Sequence, residues 1–256
     1  MRARSGRARR AAEREEVKRE SEKTGIGQSQ HVTYEARIEQ IIERAPDTRS
    51  LFLRLPPSPP FTFIPGQFIS CLLPLNGEPV IRPYSIASSP EEPELLEICL
   101  NLVSGGLGSR YLFERRIGAA LRFTGPWGTF TLERPPAAEC VFIAQGTGIA
   151  PIRPMLRRAL QTASPYPLRL HYAAAGRAYL LYADDFERAA REHARFTFAP
   201  LLGGSLLECI RQEYLVRDSD RSRHFYVCGV GNIVPELRDL LRRGGYERRA
   251  VQYEKW

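Results

Sequence analysis

The sequence predicts two domains in tandem: an antiparallel β-barrel over residues 31–134 and an α/β domain with a parallel sheet over residues 135–256. Three observations lead there. Short strand-like runs follow one another closely as far as Val103, with no long helical period between them, which is the pattern of a barrel or sandwich. Beyond Glu139, apolar strand runs alternate with helical periods, and such βα units specify a parallel sheet covered on both faces. Between the two patterns stands Pro135-Pro136, where neither continues.

In order, Val32–Ile38 and Thr48–Leu55 alternate apolar and polar side chains as half-buried strands do. A proline-rich turn (PPSPP, residues 56–60) follows, then Phe61–Phe63 and the tight Pro65-Gly66-Gln67. Phe68–Leu73, Arg82–Ser85 and Leu95–Val103 are the next strands, each bounded by Gly, Pro or Asn, and residues 107–117 form one inset helix. In the second half the expected strands are Cys140–Ala144, Leu168–Ala173, Arg195–Pro200 and His224–Cys228. The helices between and after them are Pro151–Thr162, Tyr179–His193, Leu206–Tyr214 and Ile233–Arg243.

Composition narrows the class. With 43% hydrophobic and 26% charged residues the chain reads as an ordinary globular protein. Its apolar runs fall well short of the roughly 18–20 residues a membrane span needs, and the charged first 30 residues do not resemble a secretory signal, so a cytoplasmic location without membrane attachment is expected. Five dispersed cysteines form no C-x-x-C pair, so no metal or iron–sulfur site is expected and the thiols read as reduced. Net charge is +8, and residues 1–24 supply half of it with nine Arg or Lys against five Glu. That arm (residues 1–30) has too few apolar groups to offset its ordering entropy and is expected to be disordered. Charge runs of this kind are usually just solvated, so nucleic acid is not an expected partner.

Two anion sites stand out. The strand Cys140–Ala144 runs into Gln145-Gly146-Thr147-Gly148-Ile149-Ala150-Pro151 and a helix, where free N–H groups and the helix dipole suit a pyrophosphate. A glycine turn before a helix is weak by itself, and this one is not G-x-G-x-x-G. In the barrel half, Arg82-Pro83-Tyr84-Ser85 lies on a strand, and Gly105-Gly106-Leu107-Gly108-Ser109 opens the inset helix. A guanidinium can grip a pyrophosphate bidentately, and Tyr84 offers a ring on which a flavin or nucleobase stacks. Two such sites suggest two dinucleotides facing each other.

R-P-Y-S, G-x-x-S, G-P-x-G-x-F (Gly125–Phe130), G-T-G-I-A-P and Cys228-Gly229, in this order and spacing, resemble the ferredoxin–NADP reductase family, as do Pro65-Gly66-Gln67 and the ending Glu254-Lys255-Trp256, over residues 31–256. The resemblance implies FAD and NAD(P)H as cofactors and residue roles to match. Arg82 and Pro83 belong to the strand that binds FAD, with Arg82 on its pyrophosphate, Tyr84 on the isoalloxazine and Ser85 near N5. Gly106 and Ser109 complete the phosphate cradle; because that cradle is intact, FAD is expected rather than FMN. Gly146, Thr147 and Gly148 receive the NAD(P)H pyrophosphate. Cys228 and Gly229 stand where the nicotinamide docks, Glu254 hydrogen-bonds toward Ser85, and Trp256 covers the flavin. Bland readings exist beside these: Cys228 as a small core residue, Trp256 as a terminal hydrophobe, Ser85 as a backbone partner. His171, His193 and His224 read as structural.

One departure concerns the nucleotide. Relatives with aromatic-oxygenase partners follow the second α/β strand with G-x-R, whereas here Ala175 stands where the arginine would be and Arg177 comes two residues later. No Asp or Glu closes this strand to grip a ribose 2′-hydroxyl, and Arg177 tilts the expectation toward NADPH. The expected activity is electron transfer between NAD(P)H and a one-electron carrier, an acidic ferredoxin or flavodoxin steered by the basic body. The alternatives are the reductase component of an oxygenase or hydrogenase-like complex with its cluster on a separate subunit, and a flavin-binding protein without turnover.

Overall fold

The computed structural model describes residues 32–75, 78–132, 135–162 and 164–256. The expected disordered arm lies outside them. The first sheet has six strands: β1 (Thr33–Ala45), β2 (Thr48–Arg54), β3 (Phe68–Leu75), β4 (Glu78–Ser85), β5 (Leu95–Asn101) and β6 (Ala120–Trp127). They pair antiparallel in the order β4-β3-β6-β1-β2-β5. The chain just past β4 bridges to β5 at Ile86–Ile98 and Ala87 N–H donates to the Glu97 carbonyl at 2.8 Å, so the two edges meet and the sheet curls into a barrel. Tyr34, Ala36 and Ile38 of β1 alternate inward, joining Leu51, Leu53, Ile69, Leu73, Ile98 and Phe123 in one core.

Two barrel elements differ from expectation. Strand β1 runs on to Ala45 because register shifts after Ile38 and Glu43 break the two-residue alternation without ending the pairing. Strand β6 was not expected, although Leu121 and Phe123 alternate inward; Gly125-Pro126, joined by a cis peptide, interrupts its pattern. The inset helix α1 (Leu107–Phe113) stops before the expected Ile117.

The second sheet is parallel throughout, in the order β11-β10-β7-β8-β9: β7 (Cys140–Gln145), β8 (Leu168–Ala174), β9 (Phe196–Leu202), β10 (His224–Gly229) and β11 (Val251–Lys255). Strand β11 was not expected, since the polar Gln-Tyr-Glu-Lys run carries little strand signal. Helices α2 (Ile149–Gln161) and α3 (Ala183–Glu192) cover one face, where Ile152, Met155 and Phe186 pack on Phe142 and Leu170. Helices α4 (Leu206–Arg211) and α5 (Ile233–Arg243) cover the other through Ile210, Val234 and Leu237. The first of these cores continues into the barrel half through Ala87, Cys99 and Phe130.

Helix α2 begins at Ile149, two residues earlier than expected; Pro151 still costs no hydrogen bond because the first four N–H groups of a helix lack intrahelical partners. Helix α3 begins four residues later than expected because Tyr182 sits at φ 59°, a left-handed conformation that no helix interior allows. Helix α4 is capped by the Ser205 hydroxyl, which accepts from Glu208 N–H at 3.2 Å, and passes at its end into a π-turn over Gln212–Val216. Among the described residues no helix is long and apolar enough to cross a membrane.

Candidate functional site

Strand order places the site. Successive crossovers run from β7 outward to β8 and β9, then back past β7 to β10 and β11, so the topological switch falls between the C-terminal ends of β7 and β10. There the Gly146–Gly148 turn meets Cys228-Gly229. A Cβ on Gly148 would stand 2.4 Å from the Cys228 carbonyl oxygen, so only glycine lets the turn lie this close to β10. Gly146, at φ 55°, faces open space with nothing within 4 Å of where its Cβ would be.

Two cavities of about 540 Å³ each open here. The first is walled by Arg82, Pro83, Tyr84 and Ser85 of β4, by Gly106 and Ser109 beside α1, and by Trp256. The second lies over the ends of β7, β8 and β9, with Gly146, Ala175, Tyr179, Gly203 and Ser205 among its walls. Thr147, Asn101 and Val230 line both. The barrel and the parallel sheet therefore present two adjoining spaces separated by a shared wall.

The first cavity is shaped as an anion cradle. Arg82 makes no ion pair among the described residues, its one hydrogen bond going to the Ile81 carbonyl at 2.8 Å. Its stem packs so closely over Gly108 that a Cβ there would meet Arg82 Cγ at 2.8 Å. A Cβ on Gly106 would likewise meet Ser109 Oγ at 2.8 Å. The Ser109 hydroxyl is itself engaged: it accepts from Val103 N–H at 3.0 Å and donates to the Gly106 carbonyl at 3.2 Å. It thus shapes the Val103–Gly106 turn rather than standing free for a phosphate.

Residues 17–132 match the oxidoreductase FAD-binding domain family and residues 142–238 the oxidoreductase NAD-binding domain family. The ferredoxin–NADP reductase B of Sorangium cellulosum (strain So ce56) is 32% identical over 237 residues, covering 87% of this chain and 97% of that protein. The chain belongs to the ferredoxin–NADP reductase family. The fold agrees: the ferredoxin NADP+ reductase of Neisseria gonorrhoeae, solved with FAD and NADP, superposes with a TM-score of 0.76 at 21% identity, over 87% of this chain and 98% of that one. The DmpP reductase component of phenol 2-monooxygenase from Pseudomonas sp. (strain CF600) is 27% identical over 87% of this chain, which spans 65% of that longer protein.

As a family member the chain binds FAD and NAD(P)H, and its residues fit both. Arg82, without an acidic partner among the described residues and set over a glycine-lined turn, suits a pyrophosphate, and Tyr84 and Trp256 supply flat apolar walls for a flavin. The Gly146–Gly148 turn at the start of α2 suits the second pyrophosphate.

The C-terminal strand completes the site. Parallel pairing sets Glu254 beside Cys228, and Trp256 N–H donates to the Gly229 carbonyl at 3.2 Å. The Trp256 ring meets Phe68 edge-on at 5.6 Å. Burial pushes the Glu254 carboxyl up to about 7, against the pull of the nearby indole. Its Oε2 is buried without a hydrogen-bond partner, as is Trp256 Nε1. The expected Ser85–Glu254 hydrogen bond is therefore not formed here. Cys228 is 1% exposed, lines neither cavity, and has its thiol pushed well up by burial and by Glu254. It belongs to the core cluster against which Trp256 packs. Arg177 lines neither cavity; its guanidinium is exposed and bonded to Glu187 at 2.8 Å, two residues from Tyr179 on the rim of the second.

Sequence reasoning missed Cys99, Leu100 and Asn101, the β5 wall of the first cavity, and Asp47 and Thr48 at the second. The apolar run of β5 assigns it to the core, and its end lines the crevice only where the barrel stands beside the second sheet. His171, expected to be structural, is 3% exposed and 2.8 Å from the Tyr214 hydroxyl, and burial lowers it to about 4. It lies near Cys209 and Glu213, but the Glu213 carboxylate is already bonded to Arg169.

Proposed function

We propose that the chain carries electrons between NAD(P)H and a ferredoxin-type one-electron carrier, with NADPH the preferred nucleotide. The observation that carries this reading is the shared wall of Thr147, Asn101 and Val230, which sets two cavities of about 540 Å³ edge to edge. Bound FAD supplies the exchange between a two-electron hydride and single electrons. The chain's own residues position and enclose. Arg82 and the Gly106–Ser109 turn anchor the anionic end of one ligand, and the Gly146–Gly148 turn anchors the other. Tyr84 and Trp256 exclude water from the apolar wall between them. Glu254, poised near neutrality and paired across the sheet with Cys228, can hold or release a proton beside Trp256, which walls the first cavity.

For the nucleotide, a 2′-phosphate at the rim of the second cavity would draw Arg177 away from Glu187. A net charge of +8 supports an acidic ferredoxin or flavodoxin as the partner, steered over long range. Five dispersed free cysteines support a reducing, cytoplasmic setting. The second reading, an oxygenase reductase component whose iron–sulfur centre sits on another subunit, rests on relatives such as DmpP. The test is steady-state reduction of a purified acidic ferredoxin by NADPH at rising ionic strength. Turnover that falls steeply with salt supports the first reading. Brisk reduction of a dye with no ferredoxin reduction at any salt refutes it.

A further inference from the structure

Away from both cavities, one buried carboxylate ties the barrel to the parallel-sheet half. Glu97 lies on β5 with a side chain 2% exposed. Its Oε1 accepts from Arg44 Nη2 at 2.9 Å, the Ser50 hydroxyl at 2.5 Å and the Tyr182 hydroxyl at 2.8 Å. Its Oε2 accepts from Arg153 Nη1 at 2.9 Å. Arg44 and Ser50 belong to barrel strands, whereas Arg153 is on α2 and Tyr182 precedes α3. Arg153 bonds further to the Ala87 carbonyl at 2.9 Å and to Asp185 at 3.0 Å. The Tyr182 ring is clasped between guanidiniums, with Arg44 at 4.6 Å and Arg153 at 4.3 Å from its centroid.

Both ends of this knot lead to the crevice. Strand β5 runs from Glu97 to Cys99 and Asn101, which wall the flavin cavity. Helix α2 carries Arg153 one turn beyond Thr147 and Ala150, which wall the same cavity from the other side. A second path runs through the backbone. Leu181 N–H donates to the Tyr172 hydroxyl at 3.1 Å, and that hydroxyl donates to the Gly146 carbonyl at 3.0 Å. Tyr182 also holds the left-handed φ of 59°, a strain that persists only where surroundings over-determine a residue.

We propose that Glu97 is a positioning residue for hydride transfer: by drawing Arg153 and Tyr182 onto β5 it sets how closely the nucleotide turn approaches the flavin wall. The inference rests on the reductase reading above. Packing alone could join the two halves, but a single acceptor of four donors from both halves fixes their register to within a hydrogen bond's tolerance. Misplacement of reacting groups by about 1 Å costs on the order of 100-fold in rate.

The test uses the full chain with Glu97→Gln and, because removing a buried charge can prevent folding, Tyr182→Phe, which keeps the clasped ring and loses one hydrogen bond. In cofactor-free protein, amide exchange at Leu181 and in the Gly146–Ile149 turn should rise at least ~10-fold in E97Q, with Ile69 and Phe123 amides unchanged. In FAD-loaded protein the limiting rate of flavin bleaching by NADPH should fall ~10–100-fold in E97Q and ~3–10-fold in Y182F, the half-saturating concentration moving less than about threefold. Faster exchange throughout the barrel, or variants with wild-type exchange and wild-type limiting rate, would overturn the proposal. Wild-type protein that NADPH fails to bleach would instead overturn the reductase reading, while the exchange comparison still decides whether Glu97 sets the turn.

Discussion

Replacing Gly148 by alanine puts a methyl group where the structure has no room for one. The new Cβ would stand 2.4 Å from the Cys228 carbonyl oxygen and 2.6 Å from Gly229 N, both backbone atoms, whereas ordinary contact begins at 3.4 Å. Relief requires the turn and β10 to part by about 1 Å, a strain of the kind that costs ~1–3 kcal/mol in a packed interior. Thr147 rides on that turn and forms the wall common to both cavities. The proposed flavin anchors, Arg82 and the Gly106–Ser109 turn, lie elsewhere. Gly148→Ala should therefore keep its FAD absorbance but lose on the order of 100-fold in the rate at which NADPH bleaches the flavin in anaerobic stopped-flow. Gly176→Ala is the control, since Gly176 has extended backbone (φ −177°) and open space around its Cβ position; its rate should stay within about twofold of wild type. Wild-type bleaching by G148A would refute the placement of the nucleotide at this switch point.

Arg82→Ala removes a charge-assisted contact worth ~1.5–3 kcal/mol, so FAD titrated into cofactor-free protein should bind ~10–150-fold more weakly; unchanged affinity would remove Arg82 from the site. Glu254, raised from 4.5 to about 7, should make the fold lose stability as pH climbs through that window, because the folded state holds a proton the unfolded chain releases. The loss is about 3 kcal/mol and complete above the folded value, and Glu254→Gln should abolish it in urea unfolding compared near pH ~5 and ~8. Arg177→Ala should lower the ratio of kcat/KM for NADPH over NADH by up to about fivefold, the scale of one exposed charge pair; an unchanged ratio places the 2′-phosphate elsewhere.

The two-domain architecture was legible because each half keeps its own period, two for the barrel strands and βα alternation for the parallel sheet. The candidate anion cradles could be proposed from sequence because Arg82–Ser85 and Gly146–Gly148 are contiguous stretches, and the structure brings both to the adjoining cavities. Strand β6 escaped where Gly125-Pro126 breaks the alternation of Leu121 and Phe123, and β11 because its polar residues owe their strand to pairing with β10. The Glu97 knot was invisible for a different reason. Its partners lie 47 to 85 residues away along the chain, and nothing local marks a glutamate between Leu96 and Ile98 as buried. Ser109 shows the converse: it lines the first cavity, but its hydroxyl is engaged with the backbone turn.

Electron transfer by this chain requires that the two adjoining cavities hold communicating cofactors. The most direct measurement is anaerobic titration of the FAD-loaded protein with NADPH and separately with NADH, following flavin absorbance near ~450 nm. Stoichiometric bleaching, reached at lower concentration with NADPH, is the predicted result. A yellow protein that neither nucleotide bleaches would contradict the central claim and leave a flavin-binding protein without turnover.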